Sequence, residues 1–328
     1  MRNQLTEALN GAEHIVLLGH VHPDGDCIGT SLGLYNYLKE TEPQLKVELY
    51  LDHPAEKFSY LNGFDEIQTE LVPEKRFDVC ITLDSSDTQR LGVFYPYFET
   101  AGRTLCIDHH RTNKGFAEEN YVRPEASSCS EVLYGLLDES CISKKTAECL
   151  YTGIVHDTGV FKYSNTSSAT MEIAGKLMDK GLDCAKIIDE SFYKKTYIQN
   201  QILGRALLES IVFMDGRCIF SGLRKKDLDF YGADTNDLDG IIDQLRITDG
   251  VECAIFMYET AFHEYKVSMR SNSIVDVSKI ASYFGGGGHI RAAGCTLTGT
   301  IYDVLNNVSK HIEAQLNAYD REKAESKQ

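Results

Sequence analysis

The chain has no long apolar run. Its longest, such as Ile15 to Leu18, are far too short to span a bilayer. The opening Met-Arg-Asn-Gln-Leu-Thr-Glu lacks the apolar stretch of a signal peptide, so the expected setting is cytoplasmic, with no membrane partner. Positive charge is also short: 33 Lys and Arg stand against 49 Asp and Glu, a formal net charge of −16. That balance excludes a broad basic surface for long duplex nucleic acid. A short anionic substrate in a local pocket stays open, because a bound cation outweighs the global field there. None of the ten cysteines forms a C-x-x-C pair, so a thiolate zinc site is not expected. Several sit in apolar runs, as Cys80 and Cys106 do, and read as small core hydrophobes in a reducing compartment. Internal repeats and low-complexity segments are absent as well.

What is present is enough chain for two domains, 328 residues. The first half alternates strand and helix signals. Apolar runs at 14–19, 46–51, 77–83 and 103–107 read as strands, with a helix over about 28–40. This is the pattern of a buried parallel sheet with crossover helices, an α/β fold whose ligands gather at the carboxyl ends of the strands. Residues 130–155 read as helical, with a second helical stretch running from Lys145 to Val155; 168–180 reads as one more helix, and 186–209 as a connecting helical segment. The domains are therefore expected at 1–185 and 210–328. The second opens with a hairpin around Asp215-Gly216. It continues with helices over 238–245, 275–283 and 301–319 and strands over 252–258, 265–270 and 294–297, making a smaller α/β domain. The charged tail from Arg321 is expected to fray.

Potential metal ligands follow the strand ends. Residues 20–26 read His-Val-His-Pro-Asp-Gly-Asp. In an extended loop the side chains of Asp24 and Asp26 diverge, so that one reaches each of two adjacent cations, although Pro-Asp-Gly is also an ordinary turn sequence. Asp84 closes a buried strand; its carboxylate suits a bridge between two cations, and a helix N-cap is the bland alternative. In Asp108-His109-His110 the two rings point different ways, one toward metal and one toward substrate, with Asp108 placed to orient a ring. Asp157 follows His156, which reads as a structural histidine. The set His20, Asp24, Asp26, Asp84, His109 and Asp157 is rich in hard oxygen with some imidazole, which favours Mn²⁺ or Mg²⁺ over Zn²⁺. Two such ions roughly 3.5–4 Å apart clamp a phosphorus centre for in-line attack. In the second domain, residues 284–294 read Phe-Gly-Gly-Gly-Gly-His-Ile-Arg-Ala-Ala-Gly. The bare N–H groups of Gly286, Gly287 and Gly288 can approach a phosphate closely, and His289 and Arg291 add donors. Arg270-Ser271 ends a strand and suits a second phosphate.

These motifs, in this order, resemble the DHH phosphoesterase family with a C-terminal DHHA1 domain, and within it the short stand-alone bifunctional oligoribonuclease and PAP phosphatase group. The resemblance covers about 1–310. It implies that 1–185 is the metal-binding catalytic domain and 210–328 the substrate-binding domain, with the active site in the cleft between them. It further implies one Mn²⁺ on His20, Asp24 and Asp84 and a second on Asp26, Asp84, His109 and Asp157, with Mg²⁺ as the alternative ion. His110, Asp84 and Asp108 would be the catalytic residues, His110 touching the scissile phosphate. Arg270, Ser271, His289 and Arg291 would bind substrate. The implied activity is hydrolysis of short single-stranded RNA to nucleoside 5′-monophosphates, with pAp 3′-phosphatase activity. Phosphodiesterase action on cyclic di-AMP or pApA, and nucleotide sensing without turnover, are the open alternatives. A homodimer is likewise open.

Overall fold

A computed structural model of the protein describes residues 4–326. The chain divides into two compact units between Lys194 and Lys195. No helix among the described residues is long and apolar enough to cross a membrane.

The first unit is built on a six-stranded, all-parallel sheet. Its strands are β1 (His14–Leu18), β2 (Lys46–Tyr50), β3 (Ile67–Gln68), β4 (Val79–Leu83), β5 (Arg103–Asp108) and β6 (Glu119–Val122), in the spatial order β3-β2-β1-β4-β5-β6. The continuous apolar runs of β1 and β4 exist because both sheet faces are covered. Ile15, Leu17, Ile81, Leu83, Leu105 and Ile107 face one core, and Val16, Leu18 and Cys80 face another with Tyr50, Phe94 and Tyr97. Strand order reverses between β1 and β4, which pair in register from Ile15↔Val79 to Leu18↔Thr82. That reversal opens a crevice at the carboxyl ends of the strands, and the loops carrying His20, Asp84 and His109 leave from there.

The helices of this unit are α1 (Gln4–Ala8), α2 (Gly25–Thr41), α3 (Tyr95–Thr100), α4 (Cys129–Tyr134), α5 (Lys144–Asp157), α6 (Ser168–Met178) and α7 (Cys184–Ile188). Asp24 caps α2, accepting from the N–H groups of Asp26 and Cys27. Asp26 therefore sits in the first helical turn and not in an extended loop, a correction to the sequence reading. The second helical stretch expected from Lys145 is α5; α4 ends at Tyr134, and a short turn at 139–141 lies between the two.

Helices α2 and α5 approach closely along a ladder of glycines. A Cβ on Gly29 would lie 2.5 Å from the Cys149 carbonyl oxygen and 2.8 Å from the Gly153 nitrogen. One on Gly25 would meet the His156 ring at 2.1 Å, and one on Gly33 the Leu150 side chain at 2.9 Å. The pairs 25/156, 29/153 and 33/150 run in opposite directions, so the start of α2 lies beside the end of α5. Asp26 and Asp157 are brought together by this contact.

The 186–209 span is largely helical, with a break at 194–196. After α7 comes a wide turn over Asp189–Tyr193, then α8 (Tyr197–Leu208), started by a Thr196–Gln199 capping box. Ile202 and Ala206 of α8 are buried in the core of the second unit. That unit has strands β7 (Ile211–Phe213), β8 (Cys218–Leu223), β9 (Cys253–Ala261), β10 (Glu264–Ser271), β11 (Gly287–His289) and β12 (Ala292–Thr298), ordered β11-β12-β10-β9-β8-β7. The expected hairpin is β7-β8, and only the β8–β9 pair is parallel. Its other helices are α9 (Lys225–Tyr231), α10 (Ile241–Arg246), α11 (Val277–Tyr283) and α12 (Ile301–Glu325). Ile301, Val304, Val308, Ile312 and Leu316 form the buried stripe of α12. The helix continues through 321–325, so the described part of the charged tail is helical and not frayed.

Gly29→Ala should lower unfolding free energy by about 1–3 kcal/mol through overpacking. Gly175→Ala is the control: it lies in α6 with nothing within 4 Å of the added methyl, and should be neutral or stabilising by about 0.5–1 kcal/mol. Urea denaturation midpoints of the two variants check the contrast; equal midpoints would contradict the close α2–α5 contact.

Candidate metal centre

Asp84 stands at the middle of the cluster. It follows β4 with φ at +54°, a conformation uncommon outside glycine, and its N–H is held by the Ile107 carbonyl at 3.1 Å. The residue is 2 % exposed. Oδ2 lies 3.5 Å from His20 Nε2, while Oδ1 lies 3.5 Å from His109 Nε2 and 3.6 Å from His110 Nδ1. Oδ1 has no hydrogen-bond partner. A buried carboxylate oxygen left unpaired is costly, and one histidine on each side marks where cations would repay that cost. Asp84 caps no helix; the next cap is Asp87.

The other five residues close around it. His20 Nδ1 donates to the Val21 carbonyl at 2.8 Å, which leaves Nε2 available to a cation. That nitrogen lies 3.7 Å from Oδ1 of Asp24, whose side chain is exposed at the rim. His109 Nε2 lies 3.2 Å from Asp157 Oδ2 and 3.9 Å from Asp26 Oδ2. Asp26 is fully buried. It accepts from Cys129 N at 2.6 Å, Ser130 N at 3.0 Å and Thr30 Oγ1 at 3.1 Å, which ties α2 to the first turn of α4.

Asp108 lies one layer back. It is fully buried, with Oδ1 2.7 Å from His110 Nδ1 and Oδ2 accepting from Asn113 Nδ2 at 2.7 Å. His110 is thereby oriented with Nε2 free. Asn113 escaped the sequence reading, although its place three residues past the histidine pair in a tight turn was a usable signal. Cys27, also overlooked as a donor, has its sulfur close to His20 and Asp84. His22 stands apart, 94 % exposed in its side chain. His156 is packed between Phe58 and Phe192, bonded to Ser191 Oγ at 3.0 Å. Burial, with Lys57 nearby, lowers it to about 4.

Charge in the cluster is tightly balanced. Burial opposes a positive His109, but Asp84, Asp26 and Asp157 together outweigh it and push the ring up to about 10. Burial likewise opposes a charged His20, and Asp24 and Asp84 hold it well above the usual histidine range. Burial, then neighbouring carboxylates, raises Asp26 and Asp157. Asp84 is the reverse case: burial is outweighed by His109 and His20, which hold it low. Four carboxylates and two imidazoles around one crevice form a donor set that fits divalent cations with hard oxygen preference.

The expected substrate residues lie in the second unit. Gly287–His289 form the edge strand β11, paired with β12 at Gly287↔Gly294, Gly288↔Ala293 and His289↔Ala292. The glycine run is thus a built hairpin. A Cβ on Gly286 would lie 2.2 Å from the Gly294 carbonyl oxygen, and one on Gly288 2.5 Å from that of Ala292. Gly286, Gly287, Gly288 and His289 are exposed. Arg270 is half-buried, its Nε 3.7 Å from Asp243. Ser271 is buried and donates to the Val275 carbonyl at 2.6 Å. Arg291 donates to the carbonyls of Val275, at 3.0 Å, and Ser273. Glu252 accepts from the N–H groups of residues 273–275, so both ends of this loop are braced.

Family comparison follows the same division. Residues 14–154 match the DHH family N-terminal domain, and 217–318 match the DHHA1 domain. The bifunctional oligoribonuclease and PAP phosphatase NrnA of Thermus thermophilus is 30% identical over 304 residues, 91% of this chain and 89% of that one. The chain belongs to the DHH family. The NrnA protein of Bacillus subtilis is 26% identical over 90% of this DHH chain and 93% of its own. An exopolyphosphatase-related protein of Bacteroides fragilis superposes with a TM-score of 0.85 at 27% identity, covering 94% of each chain.

Cation binding to this DHH centre requires neutral imidazoles and ionised carboxylates, so it must displace the protons now held there. His109 is raised from 6.5 to about 10, so affinity for a divalent cation should rise with pH across that window and fall as pH drops. Titration calorimetry in buffers of different ionisation enthalpy should show net proton release at pH 7.5 (about neutral); proton uptake, or an affinity independent of pH, would contradict the assignment.

Proposed function

We propose that the protein is a two-metal phosphodiesterase that hydrolyses short oligoribonucleotides to nucleoside 5′-monophosphates and removes the 3′-phosphate of pAp. The observation that carries this reading is the buried Asp84 carboxylate, with one oxygen facing His20 and the other, which has no hydrogen-bond partner, facing His109. His20, Asp24 and Asp84 would hold one Mn²⁺, and Asp26, Asp84, His109 and Asp157 the other. When bound, such a pair supplies a hydroxide nucleophile and neutralises charge on the phosphoryl oxygens.

The chain's own groups do the remaining work. Asp108 and Asn113 fix His110, whose Nε2 would hydrogen-bond the scissile phosphate and hand a proton to the leaving oxygen. Asp108 raises the His110 pKa, which favours the protonated donor. In the DHHA1 unit, Arg270, His289 and the N–H groups of Gly286, Gly287 and Gly288 would grip a terminal phosphate or nucleotide. Ser271 and Arg291 would act chiefly by holding the loop that presents Arg270. The net charge of −16 opposes binding of long nucleic acid, which favours substrates a few nucleotides long. The ten free cysteines fit a reducing, cytoplasmic setting.

Di- to pentaribonucleotides, pAp, pApA and cyclic di-AMP, each assayed with Mn²⁺ and Mg²⁺, separate this reading from a preference for cyclic or linear dinucleotides. Asp84→Asn should abolish turnover and metal occupancy together. Arg270→Ala should lower kcat/KM by roughly tenfold to a hundredfold, the equivalent of one charge-assisted hydrogen bond, with full metal content. Dinucleotide binding by the Mn²⁺-loaded wild type with no product at all would instead make it a nucleotide sensor.

A further inference from the structure

Beside His20 and Asp84 lies a donor that the assignment above leaves unused. Cys27, in the first turn of α2, is fully buried. Its sulfur, a His20 ring nitrogen and an Asp84 carboxylate oxygen all lie within 4.8 Å of one another. The sulfur sits against the bare backbone of Gly19, where a Cβ would approach to 2.4 Å. Cys129 gives the contrast: also buried, it donates its thiol to the Ile107 carbonyl at 3.1 Å. The second observation is the neighbouring Asp84 carboxylate, 2 % exposed, whose Oδ2 faces His20 Nε2 at 3.5 Å on this side while the unpaired Oδ1 faces His109.

We propose that Cys27 makes the His20 side of the centre a thiophilic metal site, able to take Zn²⁺, Co²⁺ or Cd²⁺ through a sulfur ligand. The proposal rests on the metal-centre reading. Hard cations such as Mn²⁺ and Mg²⁺ prefer the surrounding oxygens and leave the thiol protonated. A thiophilic cation draws the sulfur in: the S–H bond breaks, its proton goes to solvent and a metal–sulfur bond forms. His20, Asp24, Asp84 and Cys27 then make a set of four protein ligands. Four-coordinate zinc closed by protein has no position for a nucleophilic water, so zinc bound this way is held without turnover. The absence of any C-x-x-C pair hid this site, because its partners come from β1 and β4 and not from neighbouring thiols.

The test is Co²⁺ titration into the metal-stripped, full-length protein, followed by absorption spectroscopy. Wild type should develop a thiolate-to-cobalt charge-transfer band in the near ultraviolet together with visible ligand-field bands. Cys27→Ser should keep the visible bands and lose the charge-transfer band, while Cys141→Ser, altering an exposed thiol, should keep both. Visible bands without a charge-transfer band in wild type would overturn the role of Cys27 and leave the metal centre standing. Failure to bind cobalt at all would overturn both. Zinc X-ray absorption on wild type covers misfolding of the variant: a sulfur scatterer at about 2.3 Å is expected, and a shell of nitrogen and oxygen alone would refute the proposal.

Discussion

A single carboxylate, that of Asp84, constrains the rest of the molecule. It is buried, turned through a positive φ at the end of β4, and has an oxygen with no hydrogen-bond partner. An ion taken out of water costs several kcal/mol, and backbone in that region adds about 1–3 kcal/mol. Structures hold such residues when something else compensates. Here the compensation comes from both sides, through His20 and His109.

The fold places those partners by simple means. Adjacent parallel strands β1, β4 and β5 end at the same edge of the sheet, so the residues that follow them converge without long loops. The reversal of strand order between β1 and β4 leaves room at that edge. The remaining carboxylates come from helix ends. Gly29 and Gly153 let α2 and α5 touch backbone to backbone, and this contact delivers Asp26 and Asp157 from opposite directions. Asp26 also secures α4, so the centre contributes to the packing that builds it. Removing a glycine from the ladder would therefore reach the site without touching a candidate ligand.

Much of this was legible in the chain. Apolar runs closing on Asp84 and Asp108 announced buried strands with candidate site residues at their ends, and the resemblance to DHH proteins supplied the order of the motifs. What escaped did so for local reasons. Pro-Asp-Gly read as a turn, so the helical placement of Asp26 was not seen, although Asp24 is a good N-cap residue. Strand β6 (Glu119–Val122) is half-exposed and polar and shows no strand periodicity. The last turns of α12 continue beyond its apolar stripe, which ends at Leu316, so hydrophobic spacing could not reveal them. Ser271 and Arg291 looked like free donors; their hydrogen bonds to carbonyls at 273–275 depend on a loop geometry that no spacing rule encodes.

The most direct test of the account is a crystal structure of the Mn²⁺-loaded protein, with anomalous diffraction at the manganese edge. Two peaks are expected on opposite sides of the Asp84 carboxylate, about 3.5–4 Å apart, one beside His20 and the other beside His109. A single peak, or two peaks that share no ligand from Asp84, would contradict it.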